Sequence, residues 1–501
     1  MMKQVFNPYL PLYEYIPDGE PRVFDGRAYI YGSHDFAGGQ KYCMGDYVTW
    51  SAPVSDLTDW RYEGVIYKRT QDPSNTDDRM DLWAPDVVKG ADGRYYMYYC
   101  FSFNPEFGVA VSDSPAGPFS FYGHVKYPED ILGGKELTEN FPFDPGVLVD
   151  DDGRVFLYYG FSPAKPLPAP PIEAFLEMGM SREEAEAQLQ SIANTKFSDG
   201  AYVVELEKDM ITVKGEPHLM VPGEKIAEGT GYEEHGFFEA SSMRKVGDKY
   251  YFIYSSSVSH ELCYATSAYP DREFTYGGVI VSNGDIGYKG NARPRAMMGN
   301  NHGSIIEINN KWYIFYHRQT HGTESSRQGC AEEIHIAEDG SIAQVEMTSC
   351  GLNGGPLAGC GTYPAAIACN LMCGENDKKI VYGQSLKESQ PYIYQESAED
   401  EKESVQYIAN VFDGVVAGFK YFDCRNVRKI AVEARSYGAG KLLIMPDFEN
   451  AEPVGEISFA RADDGFTRYE SEVNIPDGVH ALFFSYTGEG KIDFKSFTLE
   501  K

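Results

Sequence analysis

The stretch that decides the fold is residues 141–160, Phe-Pro-Phe-Asp-Pro-Gly-Val-Leu-Val-Asp-Asp-Asp-Gly-Arg-Val-Phe-Leu-Tyr-Tyr-Gly. It predicts a β-hairpin, because turn residues at 150–153 separate a short apolar run at 146–149 from a β-branched and aromatic run at 155–159. A single carboxylate, Asp144, lies just before the first predicted strand in an otherwise uncharged run. This hairpin is the unit from which the rest of the chain can be interpreted.

The turn and second strand of this hairpin occur in four further copies. In every copy a turn rich in Gly, Asn or Asp leads through a basic residue into an aromatic strand; the basic residues are Arg27, Arg94, Arg154, Lys249 and Lys311. Their spacings are 67, 60, 95 and 62 residues. Repeats at such a period are typical of a β-propeller with one blade per repeat. We therefore predict an all-β chain that begins with a five-bladed β-propeller over residues 1–350.

The repeat also aligns a set of polar side chains. A polar residue precedes each basic residue by 8 to 10 positions, and these residues are Asp18, Asp86, Asp144, Glu239 and His302. Equivalent positions on the innermost strands of a propeller line its central channel, so these side chains should converge near one axis. Acidic residues that only solvate loops are not expected at one offset in otherwise apolar strands.

The charge balance limits the partners that the protein can have. With 44 basic and 75 acidic residues, the net charge is −31, and such a surface repels nucleic acid and anionic membranes. It suits a neutral substrate better than an acidic one, although solubility alone also explains it. No run approaches the roughly 18 apolar residues of a membrane helix. We expect neither nucleic acid nor membrane as a partner, and no pattern indicates an oligomeric state.

Cellular location follows from the cysteines and the first residues. The nine cysteines are an odd number, are scattered, and lie mostly inside predicted strands. The first residues lack the apolar run of a signal peptide. Both features predict reduced thiols in a cytoplasmic protein.

The spacing of 95 residues contains an insertion at about 165–195. It begins with a proline-rich segment, and Ser181 followed by Glu184 is a capping-box signal that predicts one helix. The insertion either forms a wall of the site or is a peripheral decoration. Downstream, residues 351–377 are rich in Gly, Pro, Ala and Cys and predict a linker. Short alternating strands over 378–501 predict a β-sandwich of jelly-roll type.

Converging carboxylates favour hydrolysis of a glycosidic bond. One carboxyl group must protonate the departing oxygen, and another must activate water or attack carbon. The chain has no Gly-x-Ser-x-Gly elbow, no P-loop and no nucleotide-binding glycine fingerprint, which argues against other common chemistries. A structural propeller that gathers carboxylates around calcium is the serious alternative at this point.

Several motifs together resemble glycoside hydrolase family 43, in family order over residues 5 to 350. They are Asn7-Pro8 with Pro17-Asp18, Leu82-Trp-Ala-Pro-Asp86, Phe143-Asp-Pro-Gly, Ser112-Asp-Ser-Pro-Ala-Gly-Pro-Phe, Phe-Phe-Glu239-Ala-Ser and Gly299-Asn-Asn-His-Gly-Ser. The resemblance implies a five-bladed propeller and an inverting hydrolase of arabinofuranosides and β-xylosides. It further implies that Asp18 is the general base and Glu239 the general acid. Asp144 is then the third carboxylate, which raises the pKa of the acid and orients it.

The same resemblance suggests the remaining site residues. It implies that Arg327 contacts the sugar and that His302 is the axial histidine, near bound calcium or water; a buried, hydrogen-bonded histidine is the alternative. We add Trp83, His34 and Asp35 as candidate substrate-binding residues, and we expect no organic cofactor.

The C-terminal region resembles family 6 carbohydrate-binding modules but contains no tryptophan, so it either binds sugar or is structural. The expected function is exo-acting release of α-L-arabinofuranose from arabinoxylan- or arabinan-derived oligosaccharides. A β-xylosidase or bifunctional enzyme, or a non-catalytic glycan-binding propeller, are the alternatives.

Overall fold

The first sheets of the chain form a closed ring. The computed structural model describes residues 3–501 except 103, 166–170, 178, 374–389, 397–401, 403 and 447–451. Within these residues, five antiparallel sheets precede two larger sheets. The first strand of each of the five sheets contacts the first strand of the next, and the fifth also contacts the first. The predicted five-bladed β-propeller is confirmed.

Each blade consists of consecutive strands, as the repeat predicts. Blade 1 contains β1 (Glu20–Phe24), β2 (Arg27–Tyr31), β3 (Tyr47–Pro53) and β4 (Arg61–Tyr67). Blade 2 contains β5 (Leu82–Lys89), β6 (Tyr95–Phe101), β7 (Asn104–Ser112) and β8 (Ser120–His124). Blade 3 contains β9 (Gly146–Val149), β10 (Val155–Tyr159), β11 (Gly200–Leu206) and β12 (Val213–Pro222). Blade 4 contains β13 (Phe237–Val246), β14 (Lys249–Ser256), β15 (Glu261–Ser267) and β16 (Thr275–Ser282). Blade 5 contains β17 (Ser304–Ile308), β18 (Lys311–Gln319) and β19 (Arg327–Ile334).

Tyrosine side chains fill much of the space between blades. Buried apolar residues form a separate cluster between each pair of neighbouring blades. Tyr98 is fully buried and donates its hydroxyl to the carbonyl oxygen of Met210 at 2.6 Å, and Tyr158 donates to that of Pro270 at 2.9 Å. A large ring with one satisfied polar atom suits such interfaces, so packing explains much of the tyrosine content.

The N-terminal segment helps to close the ring between blades 1 and 5. The side chain of Asn7 donates to the carbonyl oxygen of Ala331 and accepts from its backbone N–H, both at 2.9 Å. The backbone N–H of Tyr9 donates to the carbonyl oxygen of Gly329 at 3.2 Å. A parallel bridge between Gly19 and Gly303 joins the two blades near the axis.

The insertion in blade 3 is helical. After the short α1 (Glu129–Leu132) of blade 2, the connection from β10 to β11 contains α2 (Ile172–Glu177) and α3 (Arg182–Asn194). The predicted capping box at Ser181 and Glu184 is confirmed, with both reciprocal hydrogen bonds present. The second helix, α2, was not predicted. In the described part of the chain, no helix is long and apolar enough to cross a membrane.

Two facing sheets make up the C-terminal domain and share one apolar core. The first contains β20 (Leu357–Ala358), β22 (Asn370–Cys373), β25 (Val415–Cys424), β27 (Gly440–Pro446), β28 (Gly455–Phe459) and β30 (Gly478–Gly488). The second contains β21 (Gly361–Pro364), β23 (Tyr392–Gln395), β24 (Gln406–Phe412), β26 (Lys429–Ser436), β29 (Ala462–Glu472) and β31 (Lys491–Glu500). The predicted β-sandwich is confirmed.

The linker predicted over residues 351–377 requires a correction. Its described part, 351–373, contains β20, β21 and β22, which pair with β25 and β31 of the sandwich. The segment therefore belongs to the C-terminal domain. Residues 374–377 lie outside the described residues.

The C-terminal domain is joined to the propeller by specific polar contacts. Lys420 is buried and its ammonium contacts Glu346 Oε1 at 2.7 Å and Asp285 Oδ2 at 3.2 Å. The backbone N–H of Leu371 in β22 donates to the carbonyl oxygen of Arg295 at 2.8 Å. Removing one partner of such a buried pair leaves an uncompensated charge, so these contacts fix how the domain docks.

Candidate active site

The innermost strands present their polar residues through an unusual backbone conformation. Near the start of the first strand in blades 1 to 4, one non-glycine residue has a positive φ: Asp18 (55°), Ala84 (37°), Asp144 (47°) and Ala240 (68°). Such residues are uncommon and are held by the surrounding structure, often at functional sites. In β13 the register shifts on both sides of Glu239, and bulges of this kind re-aim a side chain.

Asp18 is held as a carboxylate by a buried arginine. Arg327 donates from Nη1 to Asp18 Oδ1 at 2.8 Å, and both side chains are buried. Burial by itself would raise the pKa of Asp18, but Arg327, His317 and His302 outweigh it and lower the pKa to about 2. Asp18 is therefore ionised throughout the physiological range, as a general base must be.

Arg327 is itself fixed from the opposite side by Asp35. Its Nε donates to Asp35 Oδ2 at 2.8 Å and its Nη2 to Asp35 Oδ1 at 3.2 Å, a two-pronged contact. Nη2 also lies 3.4 Å from the sulfur of Cys43, and the guanidinium covers the ring of Tyr42. A planar guanidinium clamped in this way has one orientation, so Asp35 positions the group that holds Asp18.

Asp144 contacts the backbone that carries Glu239. Its Oδ2 accepts a hydrogen bond of 3.1 Å from the backbone N–H of Ala240, the next residue after Glu239. The positive φ of Ala240 accompanies this arrangement. Asp144 is thus placed to orient the peptide that bears Glu239 as well as to act through its charge.

Glu239 and Asp144 hold their protons much more tightly than ordinary carboxyl groups. Burial and then the charge of Asp18 raise the pKa of Glu239 to about 8. Burial and then the charge of Glu239 raise the pKa of Asp144 well above its usual range. At neutral pH the site therefore combines a protonated carboxyl group with the ionised Asp18, and opposite shifts of this kind separate an acid from a base.

Two neutral histidines lie near the axis beside the carboxylates. His302 Nδ1 is 3.5 Å from Asp144 Oδ2 and 3.9 Å from Asp18 Oδ1. Burial lowers the pKa of His302 to about 4 and that of His317 to about 3. His317 Nδ1 accepts from the backbone N–H of Asp18 at 3.1 Å, so its proton is on Nε2, which contacts the carbonyl oxygen of Asn300 at 2.8 Å. His317 therefore also fixes the position of Asp18.

The three carboxylates open into a cavity of about 710 Å³. One wall is a row of rings: Trp83 meets Phe143 edge-on at 5.5 Å, Phe143 packs on Phe161 at 4.9 Å, and Phe161 packs on Phe238 at 5.1 Å. The size and mixed lining are typical of a small-ligand site, and aromatic walls suit the apolar faces of a sugar ring.

Another part of the pocket lining comes from outside the propeller. Leu371, Met372 and Cys373 of β22 line the pocket together with Ala296 and Met298. The C-terminal domain therefore contributes an apolar surface to the same cavity that contains the carboxylates. None of the described residues of α2 and α3 lines this pocket, which favours decoration over wall formation for the insertion.

The structure separates the predicted site residues into two groups. Six line the pocket: Asp18, Asp144, Glu239, His302, Trp83 and Arg327. The prediction that His34 and Asp35 bind substrate is not supported, since neither is among the residues that line the pocket. His34 is held by Glu14 and by the carbonyl oxygen of Asp46, at 3.0 Å each, and Asp35 is fully buried behind Arg327.

Asp86 belongs to an innermost strand, as predicted, but its contacts indicate that it stabilises the fold. It is fully buried, pairs with Arg22 of β1, and accepts from the backbone N–H of Val147 in β9 at 2.9 Å. It therefore links three innermost strands, and it does not line the pocket.

Several residues at the site were not predicted from the sequence. They include Tyr42, Cys43, His260, Asn300, His317 and the residues of β22. A histidine inside the apolar strand β18 was a usable signal for His317. Nothing in the local pattern of residues 371–373 indicates a pocket wall, because that placement depends on how two domains dock.

Comparison with known proteins gives one family and close relatives. The sequence model of glycosyl hydrolases family 43 matches residues 22–342 of this chain. A "Xylosidase/arabinosidase" of Thermoclostridium stercorarium is 49% identical over 503 residues, which cover 100% of this chain and 99% of the relative. A "Xylosidase/arabinosidase" of Bacteroides ovatus is 31% identical and covers 68% of this chain and 97% of its own length.

A solved structure agrees with the fold of the propeller. The crystal structure of a GH43_1 enzyme from Xanthomonas citri complexed with xylotriose superposes with a TM-score of 0.50 at 25% identity. The match covers 68% of this chain and 94% of that one.

Proposed function

We propose a function for this chain from the premise that it belongs to glycosyl hydrolase family 43 and is a glycoside hydrolase. The proposed reaction is inverting, exo-acting hydrolysis that releases terminal α-L-arabinofuranosyl residues, with terminal β-D-xylosyl residues as a second substrate class. The observation that carries the proposal is the pair of opposite pKa shifts in one pocket. The pKa of Asp18 is lowered to about 2, and that of Glu239 is raised to about 8.

In this mechanism each carboxyl group makes one proton transfer. Glu239 donates its proton to the glycosidic oxygen as the bond from that oxygen to the anomeric carbon breaks. Asp18 removes a proton from a water molecule, whose oxygen forms the new bond to the opposite face of that carbon. Inversion requires a gap of about 6.5–9.5 Å between the two carboxyl groups to leave room for the water. The sugar leaves with one hydroxyl group from water, and the leaving group keeps the proton from Glu239.

The neighbouring residues support this division of roles. Asp144 anchors the peptide after Glu239 and, when ionised, disfavours a second negative charge on Glu239. Arg327 keeps Asp18 ionised and is fixed by Asp35. These residues act by holding proton-transfer groups in place and in the correct charge state.

The substrate class rests on the relatives and on the pocket. Two relatives at 49% and 31% identity carry both xylosidase and arabinosidase in their names. The apolar and aromatic lining, together with a net charge of −31, favours a neutral oligosaccharide. A pocket bordered by a second domain favours chain ends over internal bonds. The cytoplasmic location, with short imported oligosaccharides as substrates, stays a prediction.

The C-terminal domain is proposed to complete the pocket. Its resemblance to family 6 carbohydrate-binding modules comes from sequence motifs, and all four tryptophans of the chain lie in the propeller. Its strand β22 lines the catalytic cavity. We therefore assign this domain a role in shaping the site for the part of the substrate beyond the cleaved bond.

A calcium ion near His302 is compatible with the residues present. Glu20 Oε1 is buried, has no hydrogen-bond partner among the described residues, and lies 3.9 Å from His302 Nε2. A carboxylate oxygen beside a neutral imidazole, with water as further ligand, suits a hard cation. His302 and Glu20 would hold the ion, which when bound supplies positive charge next to the carboxylates. Metal analysis of chelator-free protein tests this; calcium-free protein with full activity that calcium does not increase contradicts it.

The function is tested with aryl glycosides and one variant pair. Nitrophenyl α-L-arabinofuranoside and β-D-xyloside should both be hydrolysed by the wild type. Glu239→Ala should slow oligosaccharides by about 10²–10⁴-fold but activated aryl glycosides far less, because these need little protonation. Tight glycan binding without turnover of any substrate would instead identify a non-catalytic glycan-binding propeller.

A further inference from the structure

Three possible metal ligands from blade 4 meet at a second place, outside the catalytic pocket. His235 precedes β13 by two residues, and Glu261 and Cys263 are the first and third residues of β15. Alternate residues of a strand face the same side, so the carboxylate and the thiol both point towards the imidazole. None of the three is among the described residues that line the catalytic pocket.

The distances among the three ligand atoms are close to those of a tetrahedral metal site. His235 Nδ1 is 2.6 Å from Glu261 Oε1, Glu261 Oε1 is 3.5 Å from Cys263 Sγ, and Cys263 Sγ is 3.9 Å from His235 Nδ1. Zinc bonds of about 2.0–2.3 Å place ligand atoms about 3.3–3.7 Å apart in a tetrahedron. The contact between imidazole and carboxylate must lengthen by less than about 1 Å, and the contact between thiol and imidazole must shorten by about 0.2 Å. The His235 side chain is 29% exposed and can make that adjustment.

The surroundings orient the ligands as metal sites require. The ring of His235 stacks on Tyr276 with centroids 4.9 Å apart and planes 9° apart. Ser256 donates its hydroxyl to Glu261 Oε1 at 2.6 Å. Outer contacts of this kind fix the orientation of metal-binding side chains. Because Glu261 and Cys263 are buried while His235 is partly exposed, an ion can enter from the side of the imidazole.

We propose that His235, Glu261 and Cys263 form a binding site for a zinc-class divalent cation, with solvent as the fourth ligand. A thiolate with an imidazole and one carboxylate favours zinc or cobalt over calcium or magnesium, which prefer all-oxygen ligands. Binding displaces the thiol proton and the proton shared by the imidazole and the carboxylate into solvent, and no electron is transferred.

The site connects two segments that border the catalytic pocket. His235 lies four residues before Glu239, and Glu261 directly follows His260, which lines the pocket. The three ligands come together only in the folded chain, so a bound ion would cross-link these segments in the native state and not in the unfolded state. It should therefore stabilise the native state by mass action. We expect an increase in melting temperature of about 2–4 °C under saturating zinc.

The test uses cobalt(II) as a spectroscopic probe of the full-length protein after removal of metals with a chelator. We expect one cobalt per chain with absorption from a sulfur-to-cobalt charge-transfer band, and zinc should abolish the band by displacement. Cys263→Ser should remove the band, whereas Cys360→Ser, the same change at an exposed thiol, should leave it intact. His235→Asn should weaken zinc binding by at least about tenfold.

The contrary results are equally specific. Absence of the charge-transfer band in the wild type, or its persistence in Cys263→Ser, would overturn the proposal, and the second result would indicate cobalt bound by another thiol such as Cys43. If Cys263→Ser does not fold, His235→Asn decides, because its side chain is partly exposed. Unchanged zinc affinity in that variant would equally overturn the site.

Discussion

Replacing Asp144 by Asn removes the ionisable group at this position but keeps an oxygen atom that can accept the same hydrogen bond. The amide oxygen of Asn can still accept the 3.1 Å hydrogen bond from Ala240 N–H, so the peptide after Glu239 keeps its anchor. The variant keeps a neutral group at this position, so the repulsion that the two buried carboxyl groups exert on each other when both are ionised is lost. The pKa of Glu239 should therefore fall, and activity should be lost at a lower pH than in the wild type.

Burial and the charge of Asp18, which raise the pKa of Glu239 to about 8, are both unchanged in Asp144→Asn. A carboxyl group with this pKa is about 90% protonated at pH 7, whereas one near its ordinary value is about 0.3% protonated. Only the repulsion between Glu239 and Asp144 is removed, so we expect the pKa of Glu239 to fall by about one unit. At pH 8 the protonated fraction then falls about fivefold, and kcat/KM should fall with it.

The assay is the pH profile of kcat/KM for an oligosaccharide, whose leaving group needs protonation. The alkaline limb should move to lower pH in Asp144→Asn, and a dinitrophenyl glycoside should show little of this limb. Asp113→Asn is the matched control, since it makes the same change at an exposed carboxylate. An alkaline limb that stays in place or moves to higher pH in Asp144→Asn would refute the reasoning.

Three further predictions follow from the geometry. Asp18→Asn should lower kcat for good and poor leaving groups alike, by about 10²–10⁴-fold, since every substrate needs the water; near-wild-type turnover would exclude Asp18 as the base. Met372→Ala should raise KM for oligosaccharides more than for aryl glycosides. The control Val479→Ala, at an exposed site of the same domain, should change neither KM. If KM for oligosaccharides is the same in Met372→Ala and the wild type, β22 does not contribute to binding. Glu239→Gln should gain stability over the wild type as pH rises from about 5 to 9, by about 2–4 kcal/mol. Folding raises the pKa of Glu239 from 4.5 to about 8, so the protonated group favours the folded state of the wild type. That contribution is complete below pH 4.5 and is lost as the pH rises towards 8, whereas Gln has no proton to lose. Thermal unfolding at several pH values checks the last prediction, and a constant difference contradicts it.

The repeated hairpin made the propeller and the axial residues predictable. A turn, a basic residue and an aromatic strand are local signals, and they occur in every blade. Because a closed ring makes the blades equivalent, one offset placed Asp18, Asp144, Glu239 and His302 around the same axis. The same reasoning placed Asp86 there, but burial against Arg22 gives it a different task.

What the sequence could not show depends on contacts between distant segments. Asp35 follows the first hairpin closely, yet its role is set by Arg327 at the other end of the propeller. The strands β20, β21 and β22 have two to four residues each, too short for a periodic pattern, and they exist because β25 and β31 pair with them. The pKa values of the carboxyl groups likewise depend on burial, which no local pattern indicates.

The stereochemistry of the first product tests the central claim most directly. If Glu239 is the acid and Asp18 activates water across the sugar ring, a β-D-xyloside must first release α-D-xylose. Proton NMR spectra recorded in the first minutes of hydrolysis, before mutarotation, distinguish the two anomers. The account predicts α-xylose as the initial product; β-xylose formed first would show retention and contradict the proposed roles of Asp18 and Glu239.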